Sequence, residues 1–322
     1  METAEHTVAR TRLLSKLRAE LGVEALRSLD DDGVVEVLLN NDGTLWEDSF
    51  AHGMRVIGKM NPINAESLIG TVAASMGTVG NAENPVVQGL LLTHNARFQG
   101  VLPPNANGPI FAIRKRASRI YTLDQYVADG ILKPEWAEVI KQAVVQAKNI
   151  LVIGGTGSGK TTLANAILAA MAELVPHTRV GIIEDTAELQ CALPNKFLLG
   201  TSDFATTDKL VAACMRLRPD RIVVGEVRDR AADSLLKAWN TGHPGGLATV
   251  HANDVVAALG RMEDLAMEAG VTITREVAQR RIGQAVNLIV SIQRQGHAGG
   301  RRVEAVLEVN GCDGGAYALR HL

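Results

Sequence analysis

The stretch Gly154-Gly155-Thr156-Gly157-Ser158-Gly159-Lys160-Thr161 has the spacing G-x-x-x-x-G-K-[ST]. This spacing is typical of a P-loop, in which glycines allow successive backbone N–H groups to point at phosphate oxygens. An apolar run at residues 150–153 precedes the loop, and a helix-forming run at residues 163–168 follows it. The sequence therefore predicts a phosphate-binding loop between a buried strand and a helix.

The residue types in this loop indicate its ligand. Lys160 provides a point charge for the β- and γ-phosphates of a nucleotide, and Thr161 offers a hydroxyl group to Mg²⁺. The helix N-terminus after Gly159 adds its partial positive charge. We therefore predict ATP and Mg²⁺ as cofactors. The predicted nucleotide-binding residues of the loop are Gly154, Gly155, Thr156, Gly157, Ser158, Gly159, Lys160, Thr161 and Thr162.

Short apolar runs alternate with helical segments around the loop. These runs lie at residues 150–153, 180–183, 222–224, 247–250 and 288–290. Continuous apolar strands between helices are typical of a sheet that is buried on both faces and is mostly parallel. The sequence therefore predicts an α/β domain with a mostly parallel sheet over residues 134–322.

The first part of the chain has a different pattern. It predicts an amphipathic helix at 7–28, a β-hairpin at 34–47, a helix at 63–77 and short strands at 86–94, 98–102 and 110–114. Together these elements predict a small α+β domain over residues 1–120, followed by a linker at 121–133. Two interpretations of the first helix remain open. It packs on its own domain, or it docks on a membrane or a partner.

Composition excludes several classes of protein. Hydrophobic residues make up 46% of the 322 residues, which suits a globular chain with a sizeable core. The formal net charge of −2 provides no global field for nucleic acid or anionic lipid. The three isolated cysteines predict neither a zinc site nor a disulfide framework. We expect no secretory signal and no membrane-spanning helix, because the chain shows no sufficiently long apolar run.

Two acidic segments follow the loop. Glu184, Asp185 and Glu188 come after the apolar run at 180–183 and would lie at the carboxyl edge of the sheet. Clustered carboxylates repel each other, so we expect Mg²⁺ and Lys160 nearby, although acids also cap helices. Glu226 follows the run at 222–224 and indicates a Walker B strand.

Basic residues and histidines complete the candidate chemistry. The arginines that flank the Walker B strand, including Arg218, would reach phosphates or form surface salt bridges. His243 and His251 are framed by small residues at a strand end. They indicate a γ-phosphate sensor or a loop switch, with a structural role as the alternative.

These segments together resemble the secretion-superfamily traffic ATPases, which drive type II and type IV secretion, pilus assembly and conjugation. IIEDTAEL resembles the aspartate box of that family, RLRPDRIVVGEVR its Walker B segment and NTGHPGGLATVHAN its histidine box. The resemblance extends upstream to VVEVLLNNDGTLWED, RFQGVLPP and IFAIRKR, and downstream to IGQAVNLIVSIQR and RRVEAVLEVNG. The short N-terminal domain and the lack of a cysteine quartet favour the TrbB-type branch of type IV secretion and conjugative transfer.

The resemblance implies a RecA-like P-loop ATPase domain preceded by the small α+β domain. It implies a hexameric ring that is attached peripherally to the cytoplasmic face of the inner membrane and works with secretion or conjugation proteins. It also assigns roles by position. Glu188 would activate the attacking water, Glu226 would support the metal, Arg218 and His251 would sense the γ-phosphate, and Arg97 and Arg114 would approach the phosphates. Which of Arg114, Lys115 and Arg116 faces the nucleotide stays open.

The function predicted from these features is an ATP-hydrolysing motor for substrate translocation or pilus assembly in a conjugative or type IV secretion system. A pilus retraction or assembly ATPase is one alternative, and a non-hydrolysing, nucleotide-controlled ring scaffold is another. The presence of both Glu188 and Glu226 argues against the scaffold. Because aromatic residues are only 3% of the chain, we expect no direct nucleic-acid binding, despite basic clusters at 114–119 and 294–302.

Overall fold

The computed structural model describes residues 4–49, 52–115, 120–202, 204–270, 273–295 and 300–322, without side chains for residues 4–7. These residues divide into two compact units. The described part of the first unit runs to Lys115, and that of the second begins at Ile120.

The first unit consists of two helices and one sheet. Its elements are α1 (Ala4–Asp30), β1 (Val34–Leu39), β2 (Thr44–Ser49), β3 (Gly53–Lys59), α2 (Pro62–Ser75), β4 (Val86–Leu91), β5 (Ala96–Val101) and β6 (Ile110–Arg114). The sheet has the order β3-β2-β1-β6-β5-β4, and each of these pairings is antiparallel. The structure therefore contains every helix and strand that the sequence predicts in this part of the chain, together with β3.

The apolar stripe of α1 packs on its own unit. Leu17 and Leu21 are buried in the same core as Val37 and Phe98, while Lys16 and its neighbouring arginines are exposed. Burial of these leucines removes apolar area from water and holds the helix on the sheet. This observation supports the first of the two interpretations of the helix.

The second unit surrounds a larger sheet. Its helices are α3 (Leu123–Ala128), α4 (Pro134–Val145), α5 (Lys160–Leu174), α6 (Thr207–Arg216), α7 (Ala231–Asn240), α8 (Val255–Met267) and α9 (Arg275–Ala285). Its strands are β7 (Ile150–Gly154), β8 (Val180–Glu184), β9 (Lys196–Gly200), β10 (Arg221–Val224), β11 (Leu247–His251), β12 (Leu288–Gln295), β13 (Gly300–Asp313) and β14 (Ala316–His321). All five apolar runs identified in the sequence are strands of this sheet.

The large sheet is parallel over most of its width. Its order is β14-β13-β12-β7-β11-β10-β8-β9, and the pairings from β12 to β9 are parallel. The last two strands, β13 and β14, extend it as an antiparallel edge. Separate apolar clusters cover its two faces. Because β7 lies inside the sheet, the loop that follows it is held by neighbouring strands on both sides.

The segment at 121–133, expected from sequence to be a linker, is part of the second unit. It contains α3, whose N-cap Thr122 forms a reciprocal capping box with Gln125. Leu123, Tyr126 and Leu132 are buried in the core of the second unit. The apolar side chains of this segment therefore tie it to the second unit, whereas a free linker would have left them exposed.

The described helices also bear on membrane association. None of them combines the length and the apolar character that crossing a bilayer requires.

Candidate active site

The P-loop occupies the turn between β7 and α5. Gly159 precedes the first helical residue, Lys160, and has a φ of 95°, and Gly157 has a φ of 69°. Both values lie in the left-handed region, where a side chain is strained and glycine is not. The glycine spacing seen in the sequence is therefore required by the backbone of the loop.

Neighbouring atoms also lie too close to two of these positions for any residue larger than glycine. A Cβ atom at Gly154 would overlap the carbonyl oxygen of Ile292 and the hydroxyl of Ser158, and one at Gly159 would lie 2.8 Å from Cδ of Arg301. Ile292 on β12 and Arg301 on β13 therefore leave no room for a side chain at these two glycines.

The loop has the features of a phosphate cradle. Lys160 begins α5, and its Nζ donates to the carbonyl of Gly155 at 2.9 Å, within the loop itself. The Ser158 hydroxyl is buried and has no hydrogen-bond partner among the described residues. A lysine folded over a glycine turn at a helix N-terminus fits the phosphate groups of a nucleotide.

Thr161 and Glu188 come together in the structure. The Thr161 hydroxyl donates to Oε2 of Glu188 at 3.4 Å. Thr161 lies in the first turn of α5, and Glu188 follows β8, so they approach each other from separate elements. The predicted Mg²⁺ ligand and the predicted activator of water therefore face the same place.

The structure adds Glu184, a residue of the aspartate box for which the sequence analysis predicts no specific role. It ends β8 and is buried, and its Oε1 accepts the backbone N–H groups of Glu188 at 3.0 Å and Leu189 at 2.8 Å. A Cβ at Gly225 would lie 2.9 Å from Cγ of Glu184, so the glycine leaves room for this side chain. The sequence signal for this role is the position of Glu184, whose carboxylate directly follows the apolar run at 180–183.

Asn165 makes a second connection between the P-loop helix and the aspartate box. It is buried on α5, and its Oδ1 accepts the N–H of Gln190 at 2.8 Å. Its Nδ2 donates to the carbonyl of Glu188 at 3.4 Å. The position of Glu188 relative to the loop is therefore fixed from both sides.

Glu226 lies beyond the end of β10, at the carboxyl edge of the parallel strands. Its Oε2 accepts a hydrogen bond from Nη2 of Arg228 at 2.5 Å, and Nη1 of Arg228 pairs with Asp185 at 3.2 Å. The hydrogen bond to Glu226 is the main cause that raises the pKa of Arg228. The structure thus connects Glu226 with the aspartate box through an arginine.

The two histidines have different surroundings. His251 ends β11, pairs in register with Gly154, and places Nδ1 3.5 Å from the Thr156 hydroxyl of the P-loop. His243 precedes β11 and places Nδ1 2.9 Å from the carbonyl oxygen of Pro219. Only His251 of this pair therefore lies at the loop, whereas His243 has a structural contact.

The structure does not bring Arg218 to the P-loop of its own chain. Arg218 precedes β10, whereas Glu226 follows it, and the strands from β8 to β7 run parallel. Arg218 is therefore exposed at the amino edge of the sheet, whereas the P-loop lies at the carboxyl edge. The strand separates the two edges by at least about 13 Å. Sensing of the γ-phosphate by Arg218 therefore stays a prediction, and the P-loop of its own chain is out of its reach.

The two predicted arginines of the first unit are neighbours. Arg97 on β5 and Arg114 on β6 are directly paired in register, so they share one face of the small sheet. Nζ of the adjacent Lys115 donates to the carbonyl of Asp31 at 2.5 Å. Arg116 lies outside the described residues. Phosphate binding by Arg97 and Arg114 stays a prediction.

The residues at the loop also bear on Mg²⁺. In the described ranges there is no group of three or more His, Cys, Asp or Glu side chains arranged to hold a metal ion. Mg²⁺ in nucleotide sites takes one or two protein oxygens together with phosphate oxygens and water. Thr161 and the nearby carboxylates fit that donor set.

Comparisons with known proteins show what this chain is similar to. Residues 91–313 match the family described as "Type II/IV secretion system protein". The chain is 47% identical to "Conjugal transfer protein TrbB" of Rhizobium radiobacter, over 96% of this chain and 94% of that protein. It is 27% identical to the type IV secretion system protein VirB11 of Bartonella henselae, over 83% and 86% of the two chains.

A solved structure shows the same fold. The crystal structure of the VirB11 ATPase from the Brucella suis type IV secretion system, in complex with sulphate, matches with a TM-score of 0.51 and 25% identity. The match covers 93% of this chain and 96% of that one. The second unit is a RecA-like P-loop ATPase domain with a mostly parallel sheet, and a small α+β domain precedes it. The predicted fold class is thereby confirmed.

These matches identify the family. The chain belongs to the type II/IV secretion system protein family, and its similarity to TrbB confirms the predicted conjugative-transfer branch.

Proposed function

We propose that this protein hydrolyses Mg·ATP at the P-loop and uses the reaction to drive substrate translocation or pilus assembly in a conjugative-transfer or type IV secretion system. The contact between Thr161 and Glu188 carries the proposal, because it joins a hydroxyl suited to the metal with a carboxylate suited to water. Membership of the secretion family and the relatives that serve conjugal transfer support the cellular role.

Each residue of the site has a separate role in the proposed hydrolysis. Lys160 and the backbone N–H groups of the loop hold the β- and γ-phosphates and neutralise the charge that develops during transfer. The Glu188 carboxylate accepts the proton of the attacking water, and Glu184 holds the backbone of Glu188 in place. Glu188 would lose that alignment if its backbone were free.

The remaining site residues support the metal and sense the phosphate. Thr161 and Glu226 would hold Mg²⁺, which supplies charge neutralisation for the phosphate oxygens when bound. His251, whose Nδ1 lies 3.5 Å from the Thr156 hydroxyl, would respond to the presence of the γ-phosphate. Its change of contact between nucleotide states would then move the strand end of β11.

The assembly is proposed from the family. We expect a homo-hexameric ring that attaches peripherally to the cytoplasmic face of the inner membrane and works with secretion or conjugation proteins. The type IV secretion names of its relatives support the expected work with secretion proteins.

Phosphate release from ATP by size-fractionated protein tests the proposal. Lys160→Ala removes the charge that neutralises the phosphates, and we expect turnover to fall to background. Lys59→Ala removes an exposed lysine of the first unit and serves as the matched control with normal turnover. Undiminished hydrolysis by Lys160→Ala would contradict the proposal. ATP-dependent oligomerisation of the wild type without phosphate release would favour the ring scaffold instead.

A further inference from the structure

Arg301 lies on the P-loop, although it is far from the loop in sequence. Its Nε donates to the carbonyl of Gly157 at 3.4 Å. Its Cδ lies where a side chain at Gly159 would have to pass, at 2.8 Å from the position of a Cβ. The half-buried side chain therefore runs along the two left-handed glycines of the loop.

The position of Arg301 is fixed by the strand that carries it. Arg301 is the second residue of β13 and pairs in register with Arg294 on β12. Two residues later, the buried Val303 donates its N–H to the carbonyl of Ile131 at 2.8 Å. Since β12 pairs directly with β7, the arginine is anchored on the same sheet as the loop.

Two tyrosines lie on the same side of the second unit as Arg301. Burial raises the pKa of Tyr126 on α3, and the positive charge of Arg301 acts in the opposite direction. The ring of Tyr121 contacts that of Tyr126 edge-on, with 6.2 Å between the ring centroids. The charge of Arg301 thus lies within reach of the buried Tyr126, while its Nε contacts the P-loop.

This side is opposite to the acidic residues. Glu188 and Glu226 follow β8 and β10, and His251 ends β11. All three strands lie on one side of β7 in the sheet. Arg301 comes from β13, beyond β12 on the other side. ATP has its terminal phosphate at one end and its nucleoside at the other. If the γ-phosphate points to the acids, the nucleoside extends towards Arg301.

We propose that Arg301 contacts the nucleoside half of bound ATP, its ribose and base, and so makes the site prefer a nucleotide over bare polyphosphate. This inference rests on the proposed function. A guanidinium group is planar, stacks on aromatic rings and presents several donors, which suits both the face of a base and the ribose hydroxyls. Arg301 therefore acts at the end of the ligand opposite to the reacting phosphate.

Calorimetric titration with two ligands tests the assignment. ATP and inorganic tripolyphosphate are titrated, each with Mg²⁺, into wild type, Arg301→Ala and Arg302→Ala. Arg302 is the exposed neighbour of Arg301 and controls for the loss of one positive charge. We expect Arg301→Ala to bind ATP about 5- to 30-fold more weakly and tripolyphosphate with unchanged affinity. Arg302→Ala should bind both ligands like the wild type.

Other results would overturn the assignment. Equal weakening of both ligands would mean that Arg301 only supports the P-loop, and unchanged ATP binding would remove it from the site. Arg301→Lys keeps the charge but loses the planar group, so it should show an intermediate loss for ATP alone. If Arg301→Ala fails to fold, the affinities of Arg301→Lys for the two ligands decide whether Arg301 contacts the nucleoside. The two claims fail separately. Normal ATP binding by Arg301→Ala would refute this inference, whereas ATP hydrolysis by the wild type would leave the proposed function intact.

Discussion

The buried carboxylate of Glu184 accepts the backbone N–H of Glu188 at 3.0 Å. The same oxygen accepts the N–H of Leu189 at 2.8 Å, so one charged acceptor fixes two consecutive peptide groups. Hydrogen bonds to a charged acceptor are stronger than neutral ones. The side chain of Glu188 consequently starts from a defined backbone, next to the first turn of α5.

Removal of this acceptor should impair the chemical step more than the binding of ATP. We expect Glu184→Ala to lower kcat about 10- to 100-fold, because the Glu188 carboxylate loses its alignment with water. KM for ATP should change much less, since the phosphate contacts of the P-loop remain. Glu184→Gln keeps an oxygen acceptor at this position and should recover most of the rate. Steady-state kinetics of both variants check this. Equal losses for Ala and Gln would show that the charge, and not the acceptor, is what matters.

The position of Arg218 predicts that its substitution leaves ATP binding unchanged. Arg218→Ala should bind ATP with the wild-type affinity in the unassembled protein, because the residue lies at the amino edge of the sheet, away from the P-loop. Titration of the monomeric fraction measures this affinity. A loss of about tenfold or more would place Arg218 at the nucleotide of its own chain and contradict the structure.

Asn149 should contribute strongly to the stability of the second unit. It is buried before β7, its Nδ2 donates to the carbonyl of Ala285 at 2.6 Å, and its Oδ1 accepts the N–H of Gly246 at 2.8 Å. Asn149→Ala leaves both backbone groups without partners, and we expect a loss of about 2–4 kcal/mol in the free energy of unfolding. Urea unfolding, followed by tryptophan fluorescence, measures it. Asn240→Ala, at an exposed position, is the control, and a similar small loss in both variants would refute the expectation.

The sequence predicts the elements around the P-loop because their signals are local. The apolar run of β7, the glycine spacing and the helix after Lys160 lie within one short stretch. Separate apolar runs likewise identify β8, β10, β11 and β12. The sequence does not predict strand β9, because this edge strand alternates between exposed and half-buried residues and lacks a continuous apolar run. The sequence predicts a linker for the segment with Leu123 and Tyr126, because the burial of these side chains depends on tertiary contacts.

The site was predictable in its composition and less so in its geometry. Arg218 and Glu226 are close in sequence, but β10 lies between them and sends them to opposite sheet edges. Which acid of the aspartate box would hold a backbone and which would face Thr161 depends on the turn after β8. Arg301 reaches the loop only because β12 and β13 bring it there, and no local pattern in the sequence reveals such a contact.

The central claim is that the Glu188 carboxylate activates water for attack on ATP bound at the P-loop. Glu188→Gln keeps the size of the side chain and the backbone contacts but removes the base. Glu173→Gln, at an exposed position of α5, makes the same change away from the site.

The decisive measurement is single-turnover hydrolysis of bound ATP by these two variants and the wild type. The structure predicts that Glu188→Gln binds ATP normally and hydrolyses it on the order of 10²-fold or more slowly, while Glu173→Gln matches the wild type. Hydrolysis by Glu188→Gln at the wild-type rate would contradict the claim.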